Sequence, residues 1–68
     1  MRFNVGKYYK HSGGEMMHVL VATKTKVYGQ TMIAEFNDGS FRPVGNDETS
    51  SVNWVELDDI TEWDNLFS

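Results

Sequence analysis

Hydrophobic and polar positions alternate along most of the chain, and glycine-bearing polar runs interrupt the alternation at short intervals. That is the pattern of short strands joined by tight turns. Val5 to His11 reads as a first strand, and Ser12-Gly13-Gly14 supplies the positive-φ positions that a tight reversal needs. Met16 to Thr25 forms a second strand, with Val19, Val21 and Thr23 on one face and His18, Leu20 and Ala22 on the other. After a turn or bulge at Val27-Tyr28-Gly29-Gln30, Thr31 to Phe36 alternates again, with Met32, Ala34 and Phe36 facing inward. Asn37-Asp38-Gly39-Ser40 predicts a type I′ hairpin, because Asp-Gly suits a turn whose twist matches that of the flanking strands. Phe41 to Val44 returns from it, with Pro43 where an edge strand or turn tolerates a missing N–H. Gly45 to Ser51 is a polar loop, and Val52 to Leu57 a last strand carrying Trp54.

The period then changes. Asp59 can cap a helix, Glu62 stands in the capping-box position, and Ile60, Trp63, Leu66 and Phe67 recur at helical spacing. The expected fold class is mainly β. It is either a small five-stranded SH3-like or OB-like barrel or a curled antiparallel sheet, in each case with one short C-terminal helix. A helix packed across one face of an open sheet is the main rival to a helix closing a barrel end.

Length turns this into a single domain, residues 1 to 68. A chain of this size buries only about 60% of the surface it exposes when unfolded, so its core is thin. It holds no cysteine, which excludes disulfides and thiolate metal sites and favours a reducing compartment, the cytosol. Small cores without covalent staples are often steadied by a second subunit, so a homo-oligomer is expected. The segment Met1 to Lys10 lacks the apolar stretch of a signal peptide and no run is long enough to span a bilayer, so no membrane role is expected.

Charge is distributed unevenly. All six cations (Arg2, Lys7, Lys10, Lys24, Lys26 and Arg42) lie in residues 1 to 42 against three acids, whereas residues 43 to 68 carry seven acids and no cation, for a net charge of -4. An acidic chain is a poor general nucleic-acid binder, because each phosphate contact needs a cation. The basic half could still hold a small anion.

The candidate chemistry is sparse. No cysteine is available as a nucleophile and no serine stands in a Gly-x-Ser-x-Gly elbow, so no enzymatic activity and no cofactor are expected. His11 and His18 could meet across the first hairpin with Glu15 nearby, but a third strong ligand is missing and no metal site is assigned. For anion capture the candidate residues are Tyr8, Tyr9, His11, Lys24, Lys26, Tyr28 and Arg42. Tyr8 and Tyr9 fall on opposite faces of one strand, so one packs inward while the other stays available for stacking on a base. Arg42 offers a planar fork for a phosphate, Lys24 and Lys26 add charge, and the bland alternative for all three is a solvated strand edge. The acidic run from Asp47 to Asp64 could imitate a phosphate backbone, or simply solubilise the surface and favour a helix N-terminus.

Gly6-Lys7-Tyr8-Tyr9, Val27-Tyr28-Gly29-Gln30-Thr31, Pro43-Val44-Gly45-Asn46-Asp47-Glu48 and Asn53-Trp54-Val55-Glu56-Leu57 together resemble small proteins encoded by phages and prophages of Gram-positive bacteria. The resemblance implies an accessory protein in the host cytosol, acting on a host component such as a defence system. The expectation is a non-enzymatic binding protein that sequesters a nucleotide-type defence signal as a homo-oligomer. The alternative is an acidic protein-interaction or nucleic-acid-mimic inhibitor of a host defence protein.

Overall fold

The computed structural model describes residues 3–27, 29–45 and 53–66, with the backbone alone at Val27. Among the described residues five strands form one antiparallel sheet: β1 (Tyr8–His11), β2 (Met16–Val27), β3 (Gln30–Phe36), β4 (Phe41–Val44) and β5 (Trp54–Glu56). The strand order is β4-β3-β2-β1-β5. Among the described residues one helix, α1 (Thr61–Leu66), follows. The sheet is open, since β4 and β5 are its two edges, so the curled-sheet expectation holds and the closed barrel is not formed.

The curl comes from the core. Phe3, Tyr9, Met17, Val19, Met32, Ala34 and Phe36 are buried on one face, with Val44 and Trp54 packed against them. Trp54 on β5 reaches the ring of Phe36 on β3 at a centroid distance of 6.3 Å. Those strands lie three spacings apart, about 14 Å in a flat sheet, so the contact draws the sheet around its own aromatic face. Phe3 enters from outside the strands and packs edge-on to Tyr9 at 4.9 Å and to Trp54 at 6.1 Å. Tyr9 is fully buried, and its hydroxyl accepts the N–H of Asn4 at 2.7 Å, so the phenol reaches the core without an orphaned polar atom.

The first strand is shorter than its apolar pattern suggests. Lys7 N–H donates to the Asn4 carbonyl at 3.2 Å and Gly6 sits at φ 87°, the combination of a type II turn with glycine at its third position. The two hairpins on either side of the core share one design. In each, a three-residue loop carries glycine at positive φ in its last position (Gly14 at 97°, Gly39 at 85°), and the N–H of that glycine donates to the carbonyl three residues back. The expected type I′ turn at Asp38-Gly39 is therefore not used, since Asp38 is not at positive φ. The Asp38 carboxylate instead accepts the Ser40 hydroxyl at 2.6 Å and the Ser40 N–H at 3.0 Å, which closes the longer loop. Likewise only Gly14 of the Gly13-Gly14 pair is left-handed.

β2 carries a bulge that reverses a predicted face. Val19 pairs with Ala34 but Val21 pairs with Ile33, so Leu20 is an extra residue on β2. Val21 therefore lies on the face opposite Val19, and Ala22 returns to the side of Met32. A second irregularity falls between Ala22 and Val27, where the Thr23 hydroxyl donates to the Thr25 carbonyl at 2.7 Å. The last strand begins at Trp54, after Asn53 at φ 70°. The predicted loop beyond Gly45 and the apolar position Phe67 lie outside the described residues.

Candidate functional site

The face of the sheet away from the core holds the features that call for explanation. Tyr8 and His18 are directly opposed across β1 and β2, and their rings stack at 3.9 Å with planes 8° apart. The Trp63 ring of α1 meets Tyr8 at 5.6 Å and His18 at 6.1 Å, both edge-on. Glu62, the preceding residue, pairs with Lys10 on β1 at 2.9 Å. Expected to close a capping box, Glu62 instead ties the helix to the sheet. The cap is made by Asp59, whose carboxylate accepts the Thr61 N–H at 2.9 Å and the Thr61 hydroxyl at 2.6 Å. The hydroxyl contact, followed by the backbone one, holds the Asp59 carboxyl below its ordinary pKa. The Ser40 hydroxyl, then its N–H, do the same for Asp38.

α1 is too short to cover the whole outer face. It seats on β1 and the start of β2, and the β3–β4 side is left open. There the pairing aligns Phe41 with Glu35 and Pro43 with Ile33, and Ile33 in turn with Val21. Phe41 is 64% exposed and Val21 48%, with Leu20 of the bulge beside them and Ile33 half-buried. The result is an exposed apolar strip bordered by Glu35, the kind of surface feature that marks an interaction site when its side chains are contiguous. The period-two pattern puts Val21 on the same face as Val19, and only the bulge at Leu20 turns it into this strip. No residue of the strip stood among the sequence candidates; the exposed Phe41 directly after a hairpin turn was the one available signal.

The candidate anion-binding residues are dispersed. Tyr9 is buried in the core and Tyr8 is stacked on His18 of β2 with Trp63 of α1 edge-on to it. His11 lies on the core face, where its ring packs edge-on to Trp54 at 5.0 Å and its Nδ1 accepts the Gly13 N–H at 3.1 Å. His11 and His18 therefore occupy opposite faces and cannot share an ion. Among the described residues no group of three or more His, Cys, Asp or Glu is placed to hold a metal. Arg42 is already engaged. Its guanidinium carbon lies 3.6 Å above the centroid of the Phe36 ring, its Nη2 pairs with Glu15 at 3.1 Å, and its Nε donates to the Ser40 hydroxyl at 3.1 Å. Lys24 and Lys26 are exposed near the tip of the β2–β3 hairpin, six and eight residues along β2 from His18. That is roughly 20 Å or more along a strand, so these lysines do not converge with Tyr8. Tyr28, beside them in sequence, lies outside the described residues.

No helix among the described residues is long and apolar enough to cross a membrane. Comparison with protein-family models, with curated proteins and with solved structures found no match for the chain.

Proposed function

We propose that this chain is a non-enzymatic binding protein that docks on a partner protein through the apolar strip formed by Leu20, Val21, Ile33 and Phe41. The observation that carries the reading is the exposure of Phe41 on β4 and Val21 on β2, on the same sheet face with Ile33 of β3 between them, while the other half of that face is covered by a helix. An aromatic side chain flanked by aliphatic ones is the composition of an interface centre, and most of the affinity of such a centre rests on a few residues. The phage-type resemblance supports a host protein as the partner, because occluding a host surface needs shape and apolar contact and no reactive group. In a host-lysate capture followed by titration of the purified partner, Phe41→Lys abolishes binding while Lys24→Glu and Lys26→Glu leave it within a few-fold. Equal capture by wild type and Phe41→Lys refutes the reading.

The second reading, sequestration of a nucleotide-type anion, draws on one observation, the exposed Lys24 and Lys26 spaced two apart on β2. It requires the hairpin tip to do the binding in place of the full candidate set. Calorimetry with mono-, di- and cyclic nucleotides decides it: heat that disappears in the Lys24→Ala, Lys26→Ala double variant supports anion capture, and no heat with any of them removes it.

A further inference from the structure

The two edges of the sheet differ in what they offer a further strand. On β4, the hairpin bond from Phe36 N–H to the Ser40 carbonyl sets the alternation, so the backbone groups of Phe41 and Pro43 face away from β3. Pro43 has no N–H, and this edge is blunted in the way edge strands usually are. β5 carries no such device. Ser12 N–H donates to the Asn53 carbonyl and Leu57 N–H to the Tyr8 carbonyl, which directs the backbone of Val55 toward β1 and those of Trp54 and Glu56 outward. Trp54 and Glu56 thus present two N–H and two C=O groups along a free edge. No bond between these backbone groups and a described residue occupies that edge. Between them Val55, paired with Lys10 on the outer face, is 65% exposed.

We infer that β5 pairs with β5 of a second copy of this chain, antiparallel about a two-fold axis through Val55, joining two five-stranded sheets into one of ten strands. In that register Trp54 of each copy faces Glu56 of the other and exchanges both backbone bonds with it. All four outward donors and acceptors are thereby satisfied. Val55 meets its own mate on the outer face, which removes from water the most exposed large aliphatic side chain among the described residues. Glu56 faces a tryptophan and not another glutamate, so the register places no like charges directly opposite. A foreign peptide could use the same hydrogen bonds, but the self-pairing is favoured by what lies between them: the one side chain on the axis is apolar, exposed and self-complementary. A three-residue edge buries little surface, which places the dimer in the weak, concentration-dependent class. The inference does not depend on the proposed partner strip, which lies toward the β4 edge and stays open in the dimer.

The chain has no cysteine, so a single introduced thiol reports contact between copies alone. Val55→Cys places two thiols across a non-hydrogen-bonded pair, the geometry with the closest side chains. Under mild oxidation it is expected to form disulfide-linked dimer at least ten times faster than Val5→Cys, a control in the Asn4–Lys7 turn that is also exposed, at 49% against 65% for Val55. Glu56→Pro removes one outward N–H without touching the bonds to β1. It should leave the circular dichroism and melting curve unchanged while lowering the dimer fraction at least five-fold in sedimentation velocity. The inference is overturned by a wild-type monomer at every concentration up to the millimolar range, by equal cross-linking rates for the two cysteine variants, or by a dimer that Glu56→Pro does not weaken.

Discussion

Replacing Trp63 by alanine should cost this protein most of its stability, although Trp63 lies on a helix of only six residues. An isolated helix of that length does not form in water, because nucleation consumes more than one turn of bonds returns. α1 therefore exists only through its tertiary contacts, and among the described residues two join it to the sheet: the ion pair from Glu62 to Lys10, and the burial of Trp63 on Tyr8 and His18. The ion-pair side chains are 40% and 56% exposed, which screens the pair and limits it to roughly 0–1 kcal/mol. Trp63 is 5% exposed, and truncating a buried tryptophan costs about 3–5 kcal/mol. A domain of 68 residues has roughly 3–10 kcal/mol in all. Packing thus outweighs the ion pair several-fold. With a slope of about 4–8 °C per kcal/mol for domains of this size, Trp63→Ala lowers the melting temperature by more than about 12 °C, whereas Glu62→Gln lowers it by no more than about 8 °C. Far-UV circular dichroism melts give both values, and proton NMR reports whether the Tyr8 and His18 rings lose their mutual shielding. A Trp63→Ala protein melting within about 4 °C of wild type, or a Glu62→Gln protein melting as low as Trp63→Ala, would show that the helix is held by something else.

The hairpin glycines are not equivalent. Gly14→Ala forces alanine to φ 97° and should cost about 1–2 kcal/mol in urea denaturation. Gly13 is not left-handed, and a Cβ there meets the His11 ring alone, Nδ1 at 3.3 Å and Cε1 at 3.9 Å, so Gly13→Ala should cost less; the reverse order would contradict the loop geometry. Asp38 and Asp59 have carboxyl groups held below their ordinary value of 3.8. Their contribution is complete above that unfolded value and is lost as pH falls through the depressed folded one, so Asp59→Asn should flatten the acid limb of a stability–pH curve without moving the neutral plateau relative to pH 6. An unchanged limb between pH 5 and 2 in Asp59→Asn would rule this out. Arg42→Ala removes an exposed cation–π contact and an exposed ion pair and should cost about 1–2 kcal/mol, a loss read from the urea midpoint and absent if Arg42 were merely a solvated charge awaiting a ligand.

Much of the fold can be read from period and turn chemistry, and what cannot be read has identifiable causes. Met32, Ala34 and Phe36 face inward as their alternation predicts, and Pro43 sits on an edge strand with its missing N–H turned outward. Asp59 caps the helix as its position suggests. The misassigned face of Val21 has a specific origin, since a bulge inserts one residue and every later side chain changes sides, while the local composition of Met16 to Thr25 gives no sign of where the insertion falls. The loop at Asp38-Gly39 departs from its expected type for a related reason. Asp-Gly fits a two-residue turn, but the Ser40 hydroxyl and N–H both lie within reach of Asp38 and stabilise the three-residue alternative. The candidate binding residues were grouped by type. Whether Tyr8 and Arg42 are available depends on His18, Trp63, Phe36 and Glu15, which are distant in sequence and adjacent only after folding.

The division of charge along the chain shows the same dependence on folding and bears directly on function. In the sequence, residues 1 to 42 are basic and residues 43 to 68 acidic, which suggests two surfaces of opposite sign. Folding mixes them. β5 pairs with β1, so acids of the second half are brought beside cations of the first, and the Lys10–Glu62 pair is made across that join. Arg42 finds Glu15 within the basic half itself. Of the cations proposed for anion capture, only Lys24 and Lys26 remain outside a described ion pair, and they stand at the hairpin tip. A contact made by folding to neutralise a cation is a contact that an incoming phosphate must break, and the exchange returns little when both partners are half-exposed and already screened. Apolar side chains face no such competition. Among the described residues Phe41 and Val21 have no ion pair or hydrogen bond of their side chains to surrender, so the apolar area a docking protein covers there is offset by association and ordering costs but by no broken polar contact, and this asymmetry places the stronger expectation on the outer strip.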